Sequence, residues 1–267
     1  MRKGLEKMHT KKGYFQNPFK VLKKYPIHFL ICTLVIVIFI ILYFESSNSG
    51  ISVYGRLFSL ADCYVWIMKP IAFGFVILPV TLFLSIFITE EDLNILNVLW
   101  YSTKKNIFLN QILKIGYLSC FISLISMIST GITGMFMVEK TINWNCASSV
   151  FCILTKRTIE NISIWKVMGV FFITSWVRLF LFCTAANCFL WIYRQKSIPF
   201  IAMLVITCSE IVKPKYPLFF LSLSMDYRVW GCMKRIIQYV SYVSISSIIL
   251  FMIAKLAIQR KEFMDEK

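Results

Sequence analysis

Charge is scarce in this sequence. Of 267 residues only 16% are Asp, Glu, Lys or Arg, where a soluble domain carries roughly a quarter. With 58% hydrophobic residues and a mean hydropathy of +0.71, the chain falls outside the soluble globular class and reads as an integral membrane protein. Acidic residues are the scarcer sign, 13 against 29 basic, for a net charge of +16. The basic residues punctuate apolar runs and form no dense patch, which fits lipid phosphates as partners and argues against nucleic acid. Histidine is nearly missing: His9 and His28 lie before or within the start of the first apolar run, so no imidazole is available deeper in the chain for metal binding or base catalysis. The nine cysteines include no C-x-x-C pair, and no metal site is suggested. Cys146 and Cys152 are the closest pair on an expected loop, and their spacing leaves a disulfide open. No G-x-x-x-x-G-K-[ST] loop occurs, so the chain has no P-loop of its own.

What is present is a succession of apolar runs long enough to cross about 30 Å of hydrocarbon as helices. Charged residues bound six of them: Tyr25 to Phe44, Pro70 to Thr89, Ile115 to Val138, Val167 to Tyr193 with Arg178 inside it, Ser197 to about Glu210, and Ile236 to Ala254. The runs are continuously apolar, without the ten-residue alternation of barrel strands, so the expected fold class is all-α, a polytopic bundle of six transmembrane helices. The domain division is a single transmembrane domain over 1–267: a basic arm over 1–24, the spans over 25–257 and a short tail over 258–267. The first run follows a long polar segment and lacks a small-residue cleavage site, which predicts a retained anchor and not a signal peptide.

The arm carries Arg2, Lys3, Lys7, Lys11, Lys12, Lys20, Lys23 and Lys24 against Glu6. By the positive-inside rule it is cytoplasmic, and six crossings return the C-terminus to the same side, giving a multi-pass cell-membrane protein with both termini cytoplasmic. Lys213, Lys215, Arg228, Lys234 and Arg235 run against that assignment. Trp66, Trp144, Trp165 and Trp230 then mark the outer boundary and Trp100 and Trp191 the inner one, as an ordinary aromatic belt.

Three segments are expected to do something other than span. Phe15, Phe19 and Leu22 share a helical face among lysines just before the first run, predicting an interfacial elbow helix. Between the second and third runs, Glu90-Glu91-Asp92 opens a stretch in which Leu93, Leu96 and Trp100 repeat at helical spacing and Lys104-Lys105 close it, predicting a short amphipathic helix with its charges matched to the macrodipole. After Glu210, Lys213-Pro214-Lys215 precede a ten-residue apolar stretch, Tyr216 to Met225, too short to cross.

Catalytic constellations are absent from this reading. Glu90-Glu91 resembles the paired glutamates of the prenyl-protein proteases, but Ile95 stands where that pattern needs Arg and no histidine follows. The chain is therefore expected not to be an enzyme. Arg178 and Glu210 are the charges that boundaries do not explain; both fall in the outer halves of neighbouring antiparallel runs, where they can form an intramembrane ion pair.

The arrangement as a whole resembles the type 2 ATP-binding-cassette exporter permeases, especially small bacterial ones associated with peptide or antibiotic export. Glu90, Glu91, Leu93 to Trp100, Ser102, Lys104, Lys105, Ile107 and Lys114 follow the order of that family's linker between its second and third spans, although Asp92-Leu93-Asn94 stands where many members have Gly. The resemblance implies a half-transporter that forms the translocation pathway for a peptide, antibiotic or other amphipathic compound. It further implies a second permease subunit, identical or related, and a separate ATPase that binds ATP and Mg, with no cofactor on this chain. Glu90, Glu91, Leu93, Leu96, Trp100, Lys104 and Lys105 would form the coupling helix seated on that ATPase. A membrane immunity or sensor protein, or a channel, is the alternative reading.

Overall fold

A computed structural model describes residues 25–54, 58–93, 103–193, 195–212, 223, 226–230 and 232–260. The arm and elbow, residues 94–102 with Leu96 and Trp100, most of 213–225 and the tail 261–267 lie outside the described residues. Those described form helices and no strand. We number the helices α1 Pro26–Tyr54, α2 Leu60–Ile67, α3 Pro70–Glu91, α4 Lys104–Met137, α5 Val150–Thr155, α6 Ile164–Ile192, α7 Ser197–Val212 and α8 Met233–Arg260, with a 3₁₀ turn at Tyr227–Val229.

Five of these, α1, α3, α4, α6 and α8, are long and apolar enough to cross a membrane. The segment expected as the fifth span is α7, only 16 residues and thus about 24 Å long, short of a hydrocarbon core. At the other extreme α4 has 34 residues, about 51 Å, and begins eleven positions before the predicted start at Ile115. The reason lies at its N-terminus, where Thr103 is extended and its hydroxyl accepts from Asn106 N. That cap starts the helix in polar sequence, upstream of the apolar run that hydropathy detects.

Local chemistry sets other boundaries. Pro70 opens α3 at its first position, where no N–H is needed. Pro79 lies inside α3, and its ring would press on the carbonyl four residues earlier; the wide π-helical turn Phe73–Ile77 is placed there. Ser59 and Asp62 form a reciprocal capping box at the start of α2. The first amides of α2 donate to Lys140 O at 2.9 Å and Thr141 O at 3.1 Å, so donors that a helix start leaves open are satisfied by the chain leaving α4.

Helix α6 is the hub, touching α2, α3, α4, α7 and α8. Its partner α3 is also well covered by protein, whereas α8 is mostly exposed. On α1 the buried residues Phe29, Ile36, Ile40 and Phe44 make one stripe, while Leu30, Leu34, Ile38 and Leu42 face outward. An apolar helix that exposes apolar residues on its far side suits lipid as its surroundings. The starts of α1, α4 and α7 meet the ends of α3, α6 and α8 at one end of the bundle, called the arm end below. Tyr25 and His28 pack on Phe87 there, and Ala254 and Ala257 of α8 cluster with Phe108 and Trp191. Both ends of the described chain therefore emerge on the same side.

Candidate functional site

Polar side chains gather inside the arm end, on helices that are otherwise apolar. Asp92 directly follows α3, and Lys114 projects from the third turn of α4. Lys114 Nζ lies 2.7 and 2.8 Å from the two Asp92 oxygens, with side-chain exposures of only 6% and 4%. Asn110 Nδ2 donates to the same carboxylate at 3.4 Å. One turn along, Gln111 of α4 bonds two other helices at once. Its Nε2 donates to Thr89 O of α3 at 2.7 Å, and its Oε1 accepts from Asn187 Nδ2 at 3.2 Å and Trp191 Nε1 at 2.6 Å, both of α6.

The energetics make this a clamp. Two desolvated ions attract strongly only when their remaining bonding capacity is met, as it is here by Asn110, and removing one partner strands the other. Asp92 and Lys114 flank the connection 93–102 on its two sides, so the pair ties the end of α3 to the start of α4 across it. Trp191 packs edge-on against Phe108 with ring centroids 5.5 Å apart. Leu93 joins the same small apolar cluster.

The linker residues singled out from sequence divide between two elements. Glu90 and Glu91 belong to the last turn of α3 and do not open a new helix. Carboxylates at a helix C-terminus oppose its dipole, and nearby cations offset the cost. Lys196, before α7, bonds Glu90 at 2.8 Å, an exposed pair worth little by itself, while Lys114 holds Asp92. Lys104 and Lys105 are the first residues of α4. Leu93 packs at the junction, and Leu96 and Trp100 lie outside the described residues.

Arg178 is fully buried in α6 and Glu210 is 2% exposed on α7. Arg178 Nη1 donates to Met68 O at 3.3 Å, and its guanidinium sits 4.4 Å from the Phe73 ring, on the π-helical turn. Glu210 is near enough for its charge to act on it. The arginine thus joins the α2–α3 corner to α6, with α7 and α8 beside it.

At the far end Asp62, 0% exposed, accepts from Ser59 N at 2.8 Å, Ser59 Oγ at 2.6 Å and Trp144 Nε1 at 2.9 Å. Trp144 stacks on Phe151 and meets Trp230 edge-on, which closes a cap over the bundle. Burial pushes the Asp62 carboxyl up against the pull of these donors. It pushes the neighbouring Tyr227 phenol well up too, helped by the Asp62 charge. Two tryptophans expected in the aromatic belt are thereby corrected: Trp144 and Trp191 are buried and hydrogen-bonded inside the protein, while Trp165, 75% exposed, has the exposure a belt requires.

Sequence reading missed Asn110, Gln111, Asn187 and Asp62 as structural polar groups. The amide within an apolar run at Asn187 and the Ser59-x-x-Asp62 spacing are signals that point to two of them. Among the described residues no group of His, Cys, Asp and Glu is placed to hold a metal ion. The polar contacts of the arm end join α3, α4 and α6 to one another. The chain matches no protein-family model, no curated protein and no solved structure.

Proposed function

We propose that this chain is the membrane-spanning permease subunit of an ATP-driven exporter, supplying the translocation pathway while a separate P-loop ATPase supplies the chemistry. The observation that carries this reading is the buried Asp92–Lys114 pair, which fastens the two ends of the connection 93–102 to each other and to the bundle. A partner that moves the connection then moves α3 and α4 together, and through Gln111 it moves α6. ATP binding on that partner shifts the bundle only to the extent that the partner binds its two arrangements unequally. The amphipathic repeat of Leu93, Leu96 and Trp100 supplies the docking surface, two such subunits assemble in the cell membrane with the arm end cytoplasmic, and an amphipathic compound is the cargo class.

Affinity purification of the chain from its native membranes tests the proposal. A P-loop ATPase should copurify in stoichiometric amount, and its turnover in lipid should respond to the assembled permease. Replacing Leu96 with Asp should abolish both association and stimulation with membrane insertion unchanged, because burying one such side chain contributes about 1.5–3 kcal/mol. Wild-type association and turnover in the Leu96→Asp protein would end the coupling role, and a chain that purifies without any ATPase would end the exporter reading.

A further inference from the structure

The far end of the bundle carries more positive charge than its acids balance. Its surface segments are tied to one another by the aromatic cap: Phe151 stacks on Trp144 and meets Tyr227, Ile159 N donates to Trp144 O at 3.1 Å, and Trp230 meets Trp144 edge-on and lines a cleft with Val167 of α6. Over residues 150–166 and 226–235 the exposed cations are Lys156, Arg157, Lys166, Arg228, Lys234 and Arg235, against the acids Glu160 and Asp226. Arg228 lies 3.9 Å from Asp226, an exposed pair of little strength; among the described residues the other five meet no carboxylate at ion-pair distance. Lys166 stands in the first turn of α6, and Lys234 and Arg235 in the first turn of α8. A cation there opposes the helix dipole, and neither turn holds an acidic residue.

The neighbours of these cations are apolar and exposed. Trp165, 75% exposed, precedes Lys166, and Met233, 73% exposed, precedes Lys234. Ile153 and Leu154, each more than half exposed, stand just before Lys156 and Arg157. The same juxtaposition therefore recurs on three separate segments. A soluble polyanion would meet the cations and leave the apolar side chains in water. A phospholipid leaflet takes both, with the apolar side chains among the acyl chains and the basic groups at the phosphates.

We propose that this rim is a binding surface for anionic phospholipid headgroups in the leaflet that surrounds the far end, with Lys166, Lys234 and Arg235 at the phosphates and Trp165, Met233, Ile153 and Leu154 in the acyl region beside them. Each basic residue held near an anionic surface strengthens the attraction roughly fivefold, so several together select anionic over zwitterionic lipid although each alone is weak. The same surface explains why Arg228, Lys234 and Arg235 stand against the positive-inside assignment: lipid charge around the far end offsets the cost of placing them there. The inference goes beyond the exporter reading and does not depend on it.

Photo-crosslinking of the full chain in lipid nanodiscs tests it, with phosphatidylglycerol or phosphatidylcholine carrying a diazirine close to the phosphate as the two probes. Met135 and Phe136, exposed at the far end of α4 near the balanced charges of Glu139 and Lys140, give the reference. Peptides spanning 150–166 and 226–237 should take several-fold more adduct from the anionic probe than from the zwitterionic one, and the reference should not. Lys166→Gln/Lys234→Gln/Arg235→Gln should bring their ratio down to that of the reference; if this protein does not insert, Lys156→Gln/Arg157→Gln should lower it over 150–166. A wild-type ratio no higher than the reference, or one indifferent to the substitutions, would overturn the proposal. Displacement of the adducts by a soluble oligoglutamate would overturn it too, by assigning the surface to an acidic peptide.

Discussion

Two buried carboxylates secure the two ends of the molecule by different means. Asp92 is neutralised by a cation, whereas Asp62 is held by the dipoles of Ser59 and Trp144. For the first, we expect Lys114→Met alone to destabilise the protein by about 3–5 kcal/mol, because it leaves a carboxylate stranded in low dielectric. Combining it with Asp92→Leu should recover most of the loss, and thermal unfolding of the four proteins of the cycle in detergent would show it; simple additivity would deny the pairing its energetic role. For the second, burial raises the folded-state pKa of Asp62, so folding takes up protons at this group. Its contribution is then fully present below the unfolded value of about 3.9 and is lost as pH rises through the folded value. The unfolding temperature should accordingly fall more steeply in wild type than in Asp62→Asn over the window that opens near pH 4 and extends up to the raised pKa. Parallel curves for the two proteins would show that the group does not titrate across that window.

Individual helices explain the close packing at the far end. Helix α2 lies directly on the last turns of α4, and it can do so because α4 carries glycine at the contact. A Cβ on Gly131 would stand 2.6 Å from Tyr64 Oη, and one on Gly134 would stand 2.5 Å from Leu60 Cδ1. Tyr64 in turn donates to Met127 O at 3.3 Å. Gly131→Leu should therefore push α2 off α4, with a cost of about 1–3 kcal/mol from overpacking. Gly169→Leu on α6 supplies the control: nothing lies within 4 Å of the added Cβ, and a surface change of this kind is worth about ±0.5 kcal/mol. Similar unfolding temperatures for the two variants would mean that the α2–α4 contact is loose.

For the whole molecule, the arrangement of helix ends makes a prediction about sidedness. The start of α4 lies at the arm end, with the beginning of α1 and the end of α8, and the α5–α6 connection lies at the opposite end. On the proposed sidedness, with the arm end cytoplasmic as the positive-inside rule expects, an impermeant thiol reagent added to intact cells should label Arg157→Cys and spare Lys105→Cys, with the native cysteines replaced by alanine. Both positions are exposed in the protein. Labelling of Lys105→Cys alone would invert the molecule, and labelling of neither or both would break the assumption that the helices cross.

Hydropathy along the chain was enough to expect a helical chain and to centre α1, α3, α4, α6 and α8, the five helices long and apolar enough to cross a membrane, because such a run is a local property: about twenty consecutive apolar residues suffice. The sequence also marked Arg178 and Glu210 as costly intramembrane charges, and the fold buries both among neighbouring helices. The length of α7, the extension of α4 back to Lys104 and the assignment of Glu90 and Glu91 to the end of α3 depended on packing and capping, which a window average does not register. The Gln111 network was further out of reach, since it joins Thr89, Asn187 and Trp191 across 22, 76 and 80 positions of sequence. No local pattern encodes such pairings. They exist because three apolar helices pack closely enough that a buried amide finds its partners only on the other two.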